Sequence, residues 1–184
     1  MKTKDLTKIS ICIALLCISS YLSFPLPFTP AMVTAQTIVI NLIALILTPK
    51  QAFTTVALYM VIGILGLPVF SGGASGIAKI LSPSGGFIMG FLVAAPLMSC
   101  LKGQASHLKQ YFLVTMAFGM PVIYLFGTLW MSYVSQIGIV SALNAALIPF
   151  IFGDLAKCFM GSVIAVKLNK IYETGSIRRQ LSHE

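Results

Sequence analysis

Near the end of the chain, inside the apolar stretch IPFIFGDLAKCFMG, one acid and one base stand three residues apart, Asp154 and Lys157. Between Lys109 and Lys167 they are the only formal charges. Positions i and i+3 of a helix share a face, so the two side chains point the same way. Each charge costs roughly 2.5 to 3.5 kcal/mol at the centre of a bilayer on insertion scales. Pairing lowers that cost without making it favourable beside two apolar residues. Such a pair either locks two helices together or meets a ligand. Its net charge is near zero, so as a binding site it suits a neutral group that carries both a donor and an acceptor, such as a urea or an amide. One acid with no second titratable group along the path makes a poor proton relay.

Other polar side chains stand at the ends of apolar runs. VTAQT supplies Thr34 and Gln36, and GTLWMSY supplies Trp130 and Tyr133. Both sets can converge on the cavity that Asp154 and Lys157 face. Aromatic rings at that depth also serve as interfacial anchors, and Tyr59 reads as core packing. In the first run Ser10, Ala14 and Cys17 recur at i, i+4 and i+7, a stripe of small residues that lets another helix approach closely.

Enzymatic chemistry finds little to work with. GASG, residues 73–76, resembles the serine motif of intramembrane proteases, which need a histidine base within hydrogen-bond reach. The only histidines, His107 and His183, fall in a loop and a tail on the other side of the membrane from Ser75. Asp154 is the only one of the four acids inside the bilayer, so no metal-ligating cluster forms. Nucleotide hydrolysis is excluded too, since GxxxxGK[ST] is absent. Cys12, Cys17, Cys100 and Cys158 form no CxxC pair and read as packed, reduced residues. The expectation is a protein with no catalytic residues, no metal and no cofactor.

The elements that must hold these residues are set by composition. Hydrophobic residues make up 58% of the 184 positions, charged residues only 9%, and the mean hydropathy is +0.97. A soluble domain carries about a quarter charged residues. The net charge of +8 invites a nucleic-acid reading, but its distribution argues against one. Ten of the twelve basic residues lie at the termini and in two short loops.

Six apolar runs are expected as helices, roughly 9–24, 33–47, 51–67, 86–101, 111–133 and 139–171, punctuated by proline and glycine. The basic amino terminus followed by an apolar run resembles a signal peptide. The lack of a small-x-small site favours a retained first helix. Lysines and arginines occupy both termini and the loops after runs two and four, which places both termini in the cytoplasm. Lys79, in the loop after run three, breaks the pattern. That external loop, GLPVFSGGASGIAKILSPSGG, is too rich in glycine at its two ends to be helical there. Backbone of that kind is tolerated at membrane depth only against protein or a cavity. The expected fold is an all-α membrane protein over residues 1–184, a six-transmembrane-helix bundle in contact with lipid, with a glycine-rich external loop between its third and fourth helices.

TAQT in run two, GLPVFSGGASG with SPSGGF in the external loop, GTLW in run five and PFIFGDLAK in run six together resemble BioY. That family is the biotin-specific S-component of energy-coupling-factor (ECF) vitamin transporters. The resemblance spans about residues 27–157, and its loop and GDxxK motifs are specific in combination. It implies a multi-pass protein of a prokaryotic plasma membrane that binds biotin near the external face. It also implies docking on a transmembrane coupling protein and two ATPase subunits. Carried over, GDxxK assigns biotin binding to Asp154 and Lys157, and the loop 72–86, with Ser84 and Gly85, closes over the vitamin. Asp154 would accept from a ureido N–H and Lys157 would donate to the ureido oxygen. Lys79, the only cation in an external loop, would then meet the valerate carboxylate; the reverse, with Lys157 on the carboxylate, stays open. Trp130 and Tyr133 would pack on the thiophane ring and tail.

Two departures stand out. SPSGG replaces the commoner GPTGG while keeping a hydroxyl. Ile18 interrupts the AxxxA pattern of helix one, leaving Ser10 and Ala14 for docking. The competing readings are a gradient-driven permease for another small polar solute, and a membrane scaffold subunit in which Asp154 and Lys157 are a structural ion pair.

Overall fold

The computed structural model describes residues 3–27, 29–103 and 107–181, with side chains to residue 172. The chain is mostly helical. Helix α1 spans Thr3–Ser19 and ends where the hydroxyls of Ser19 and Ser20 turn back onto the carbonyls of Leu16 and Cys17. A small antiparallel ribbon follows, β1 (Ser23–Pro25) against β2 (Met32–Thr34), in the register Ser23 to Thr34 and Pro25 to Met32. This ribbon corrects the all-helical expectation. Three-residue strands are too short to show an alternating pattern in sequence.

Helix α2 runs Gln36–Ile46 and α3 runs Pro49–Ile64. Pro49 suits the first turn of α3, where its missing N–H costs nothing. The backbone N–H of Thr48 donates to Gln51 Oε1 at 3.1 Å, one half of a capping box. The glycine-rich loop contains the five-residue helix α4, Ile77–Leu81. Helix α5 (Gly85–Leu101) begins inside SPSGG, so Gly85 and Gly86 are helical. Helix α6 (Leu108–Val114), a π-helical turn (Thr115–Gly119) and α7 (Met120–Ser135) form one apolar rod of 28 residues. Among the described residues this rod is the one unbroken helix long and apolar enough to cross a bilayer. Run six divides into α8 (Ile139–Ala146) and α9 (Ile151–Leu181), bent by 53°. Pro149 lies in the break and cannot donate to a continuing helix.

Helix α5 lies at the centre, packed on α2, α3 and α7, while α9 crosses α2 and α6. The α5–α7 contact is close because it is built on glycine. A side chain at Gly86 would collide with Trp130 and the Phe126 carbonyl, and one at Gly127 would collide with Phe87. Without a hydrophobic drive between helices in lipid, such close backbone packing supplies the attraction.

The outer surface is apolar, with Leu65, Val140 and Phe152 all more than 70% exposed, whereas Gln36, Asn41, Thr55, Thr115 and Asp154 are buried. That distribution is the reverse of a water-soluble fold and matches one solvated by lipid.

Candidate functional site

Asp154 sits in the first turn of α9, where the helix dipole favours an anion. It is buried, and both of its oxygens already hold a donor. Lys157 Nζ lies 2.8 Å from Oδ1, and the hydroxyl of Tyr124, on α7, donates to Oδ2 at 2.6 Å. Asp154 and Lys157 thus share a face, as their spacing requires, and meet a third polar group from another helix.

The three residues line a cavity of about 50 Å³. Its polar wall adds Thr34 of β2, Thr37 of α2, Ser71 of the glycine-rich loop and Ser84 just before α5. Phe87, Ile88 and Phe91 of α5 supply the apolar wall. Four stretches from elsewhere in the sequence therefore converge on Asp154. A separate apolar groove of about 620 Å³ opens outward between α7, α8 and α9, and Tyr124 and Asp154 border it too.

Over the cavity the loop is tied down by a chain of hydrogen bonds. Tyr59 donates to the Val69 carbonyl at 3.0 Å, the Gln36 amide N–H donates to the Tyr59 oxygen at 2.5 Å, and Ser71 donates to Gln36 Oε1 at 3.1 Å. Just after α1, the Ser20 carbonyl accepts from the Gly72 N–H at 3.2 Å, and Tyr21 donates to the Pro68 carbonyl at 2.6 Å. Gly72 and Gly73 have φ of 76° and 72° and pack on Met32 and Tyr21. Only glycine adopts that left-handed turn without strain.

Of the residues singled out from sequence, the structure brings Asp154, Lys157, Thr34 and Ser84 to one cavity. Seven others lie elsewhere. Gln36 is fully buried and engages Tyr59 and Ser71. Gly85 packs on the Ile80 carbonyl as α5 begins. Lys79 is half-buried on α4, and burial lowers its pKa from the ordinary lysine value. The Trp130 indole N–H donates to the Ser82 carbonyl at 3.1 Å, so the ring braces the loop from outside the cavity. Tyr133 is 72% exposed beside Trp130, their ring centroids 6.2 Å apart. Ser10 and Ala14 lie on the exposed face of α1 with Ile11 and Ile18. His183 falls outside the described residues.

Sequence reasoning missed Tyr124, Thr37 and Ser71. For Tyr124 the only available signal was a phenol within an otherwise apolar run, PVIYLFG.

Comparison with known proteins agrees across sequence and structure. The family model described as the BioY family matches residues 1–174. A Lactococcus lactis subsp. cremoris protein named biotin transporter BioY2 is 32% identical over 167 residues, covering 91% of each chain. The biotin transporter BioY of Thermotoga maritima is 30% identical over 169 residues, covering 91% of this chain and 97% of that one. Among solved structures, the crystal structure of the S-component for biotin from an ECF-type ABC transporter is similar, with a TM-score of 0.84 and 27% identity. That similarity covers 92% of this chain and 95% of the other.

Proposed function

The chain belongs to the BioY family, and on that premise we infer that it is the biotin-binding S-component of an ECF-type transporter, serving biotin uptake across a prokaryotic membrane. It is a transport component and not an enzyme. The observation that carries the site is the buried Asp154–Lys157 pair facing a cavity roofed by the glycine-rich loop. Biotin's ureido ring places an N–H beside a carbonyl, so one acceptor and one donor on a single helix face can read it. Asp154 takes the N–H and Lys157 donates to the oxygen, with Thr34 and Ser84 at the same wall. Lys79, on the loop, is the cation assigned to the valerate carboxylate.

A cavity of about 50 Å³ is too small for a bicyclic vitamin, since ligand pockets usually run from about 300 to 1,000 Å³. Binding therefore requires the loop to lift and reclose. Six membrane passages are assigned to α1, α2, α3, α5, the α6–α7 rod and the α8–α9 pair, with both termini cytoplasmic. At eleven residues α2 is short for a full crossing, and the partly buried β2 segment before it makes up part of the distance. Partners are a transmembrane coupling protein, docked on the Ser10–Ala14 face, and two ATPase subunits that supply the energy.

The test is thermal stability in detergent with and without biotin, for wild type and Asp154→Asn. Ligand at 100 times Kd stabilises the native state by about 2.7 kcal/mol. Wild type freed of bound biotin is expected to gain several degrees, and the variant much less. No gain in wild type would remove biotin as the ligand and leave Asp154 and Lys157 as a structural pair.

A further inference from the structure

The carboxylate of Asp154 is oriented from two sides. Lys157 reaches Oδ1 from one turn further along α9, while Tyr124 reaches Oδ2 from α7. Lys157 alone fixes little, because it rides on the same helix and both side chains can swing together. A carboxyl group also rotates readily about its last torsion, which is broad and roughly two-fold. The phenol of Tyr124, anchored on a separate helix, supplies the outside reference.

We propose that Tyr124 is a positioning and specificity residue: its hydroxyl clamps Oδ2 of Asp154 and aims the carboxylate into the cavity, so that the site selects a ligand end presenting an N–H. This role deepens the biotin reading and rests on it. A carboxylate offers about four lone-pair sites, and the two donors occupy one on each oxygen, so sites remain for a ligand N–H. Lys157 spends one N–H on Oδ1 and has two left for a ligand oxygen. The site thus reads acceptor, then donor, along one helix face. A cyclic urea matches that order. A ligand end made only of acceptors, such as a carboxylate, sets an anion against Asp154 and is refused.

Tyr124 has a second task that can be separated from the first. It borders both the 50 Å³ cavity and the 620 Å³ outer groove, so its ring forms part of the wall between them. Phenylalanine keeps the ring and removes only the clamp. A purely structural role would lower affinity for every ligand alike, whereas the clamp acts only through the N–H that Asp154 accepts.

The experiment is a cycle of one variant against three ligands. Dissociation constants are measured calorimetrically in detergent for wild type and Tyr124→Phe with biotin and with biotin methylated on one or the other ureido nitrogen. Biotin is expected to weaken about 10-fold in the variant, which is about 1.4 kcal/mol. One methylated ligand, lacking the N–H that meets Asp154, binds wild type weakly and loses less than about 3-fold more in the variant, as expected when one interaction has been removed twice. The other keeps the full 10-fold loss. Equal losses for all three ligands, or an unchanged biotin constant, overturn the role of Tyr124 while leaving the biotin reading intact. Wild type that binds no biotin is a different failure, that of the reading itself. If Tyr124→Phe does not yield folded protein, Tyr124→His, which keeps a ring and an N–H donor, is held to the converse standard. It must retain discrimination between the two methylated ligands, and loss of that discrimination refutes the clamp.

Discussion

Replacing Gln36 with leucine distinguishes a residue that touches the ligand from one that holds the loop. Gln36 is fully buried, its N–H donating to Tyr59 and its carbonyl accepting from Ser71. Leucine of similar size removes both bonds. Tyr59 keeps its own bond to the Val69 carbonyl and is not orphaned, while Ser71 is only partly buried and can turn to water. The loss is therefore at the modest end for two buried hydrogen bonds, about 1–3 kcal/mol at typical net values.

Most of that loss falls on the loop, because Ser71 is the loop residue that Gln36 anchors. Opening of the segment 66–76 in ligand-free protein should become about 5- to 150-fold more frequent, taking 1.4 kcal/mol per factor of ten. Amide hydrogen exchange measured by mass spectrometry on that segment reports it directly, through the Phe70 amide, bonded to the Ala74 carbonyl within the loop, and the Gly76 amide, bonded to the Gly63 carbonyl of α3. Biotin dissociation should accelerate in parallel, since the roof must open to release it. Unchanged exchange in the ligand-free variant, together with weaker biotin binding, would refute the reasoning and return Gln36 to the ligand's first contacts.

Two further expectations follow from residues at the edges of the site. Trp130→Phe removes the indole bond to the Ser82 carbonyl and should cost about 1 kcal/mol of stability, read as a lower melting temperature in detergent; Tyr133→Ala, on the exposed face, should leave the biotin dissociation constant within about 2-fold, and a 10-fold loss there would place the ring against the vitamin. Just past the end of α5, Lys102 donates to the carbonyls of Leu47 and Ala44, and burial, with a smaller contribution from Lys8, pushes its pKa down to about 8. Its folded pKa lies below the unfolded value of 10.5, so between those values the unfolded chain holds more protons and stability must rise with pH; a melting temperature that does not rise from pH 8 to pH 10, or rises equally in Lys102→Met, would contradict this.

Much of the fold is legible because its causes are local. A chain with 9% charged residues has no surface for water, and proline and glycine divide it where helices must stop. Asp154 and Lys157 announce themselves because an unneeded charge in lipid is expensive, and three residues on a helix always bring two side chains to one face. The glycine loop is legible for a similar reason, since Gly72 and Gly73 take a turn that other residues resist.

Tertiary packing decided the rest. The β1–β2 ribbon joins two three-residue strands whose pairing no local pattern marks. Gln36 and Tyr59 stand 23 positions apart, and Tyr124 and Asp154 stand 30 apart. No local pattern predicts either meeting. In a soluble helix the polar face points to water and the apolar face to the core, so orientation can be read from the sequence. Lipid is as apolar as the core, and that signal vanishes. Which way α7 turns Tyr124 is set by glycine-mediated contact with α5, and that contact brings the phenol to the carboxylate. The sequence determined that a charged pair is buried in the membrane; the packing of α7, α5 and α9 determined what the pair faces.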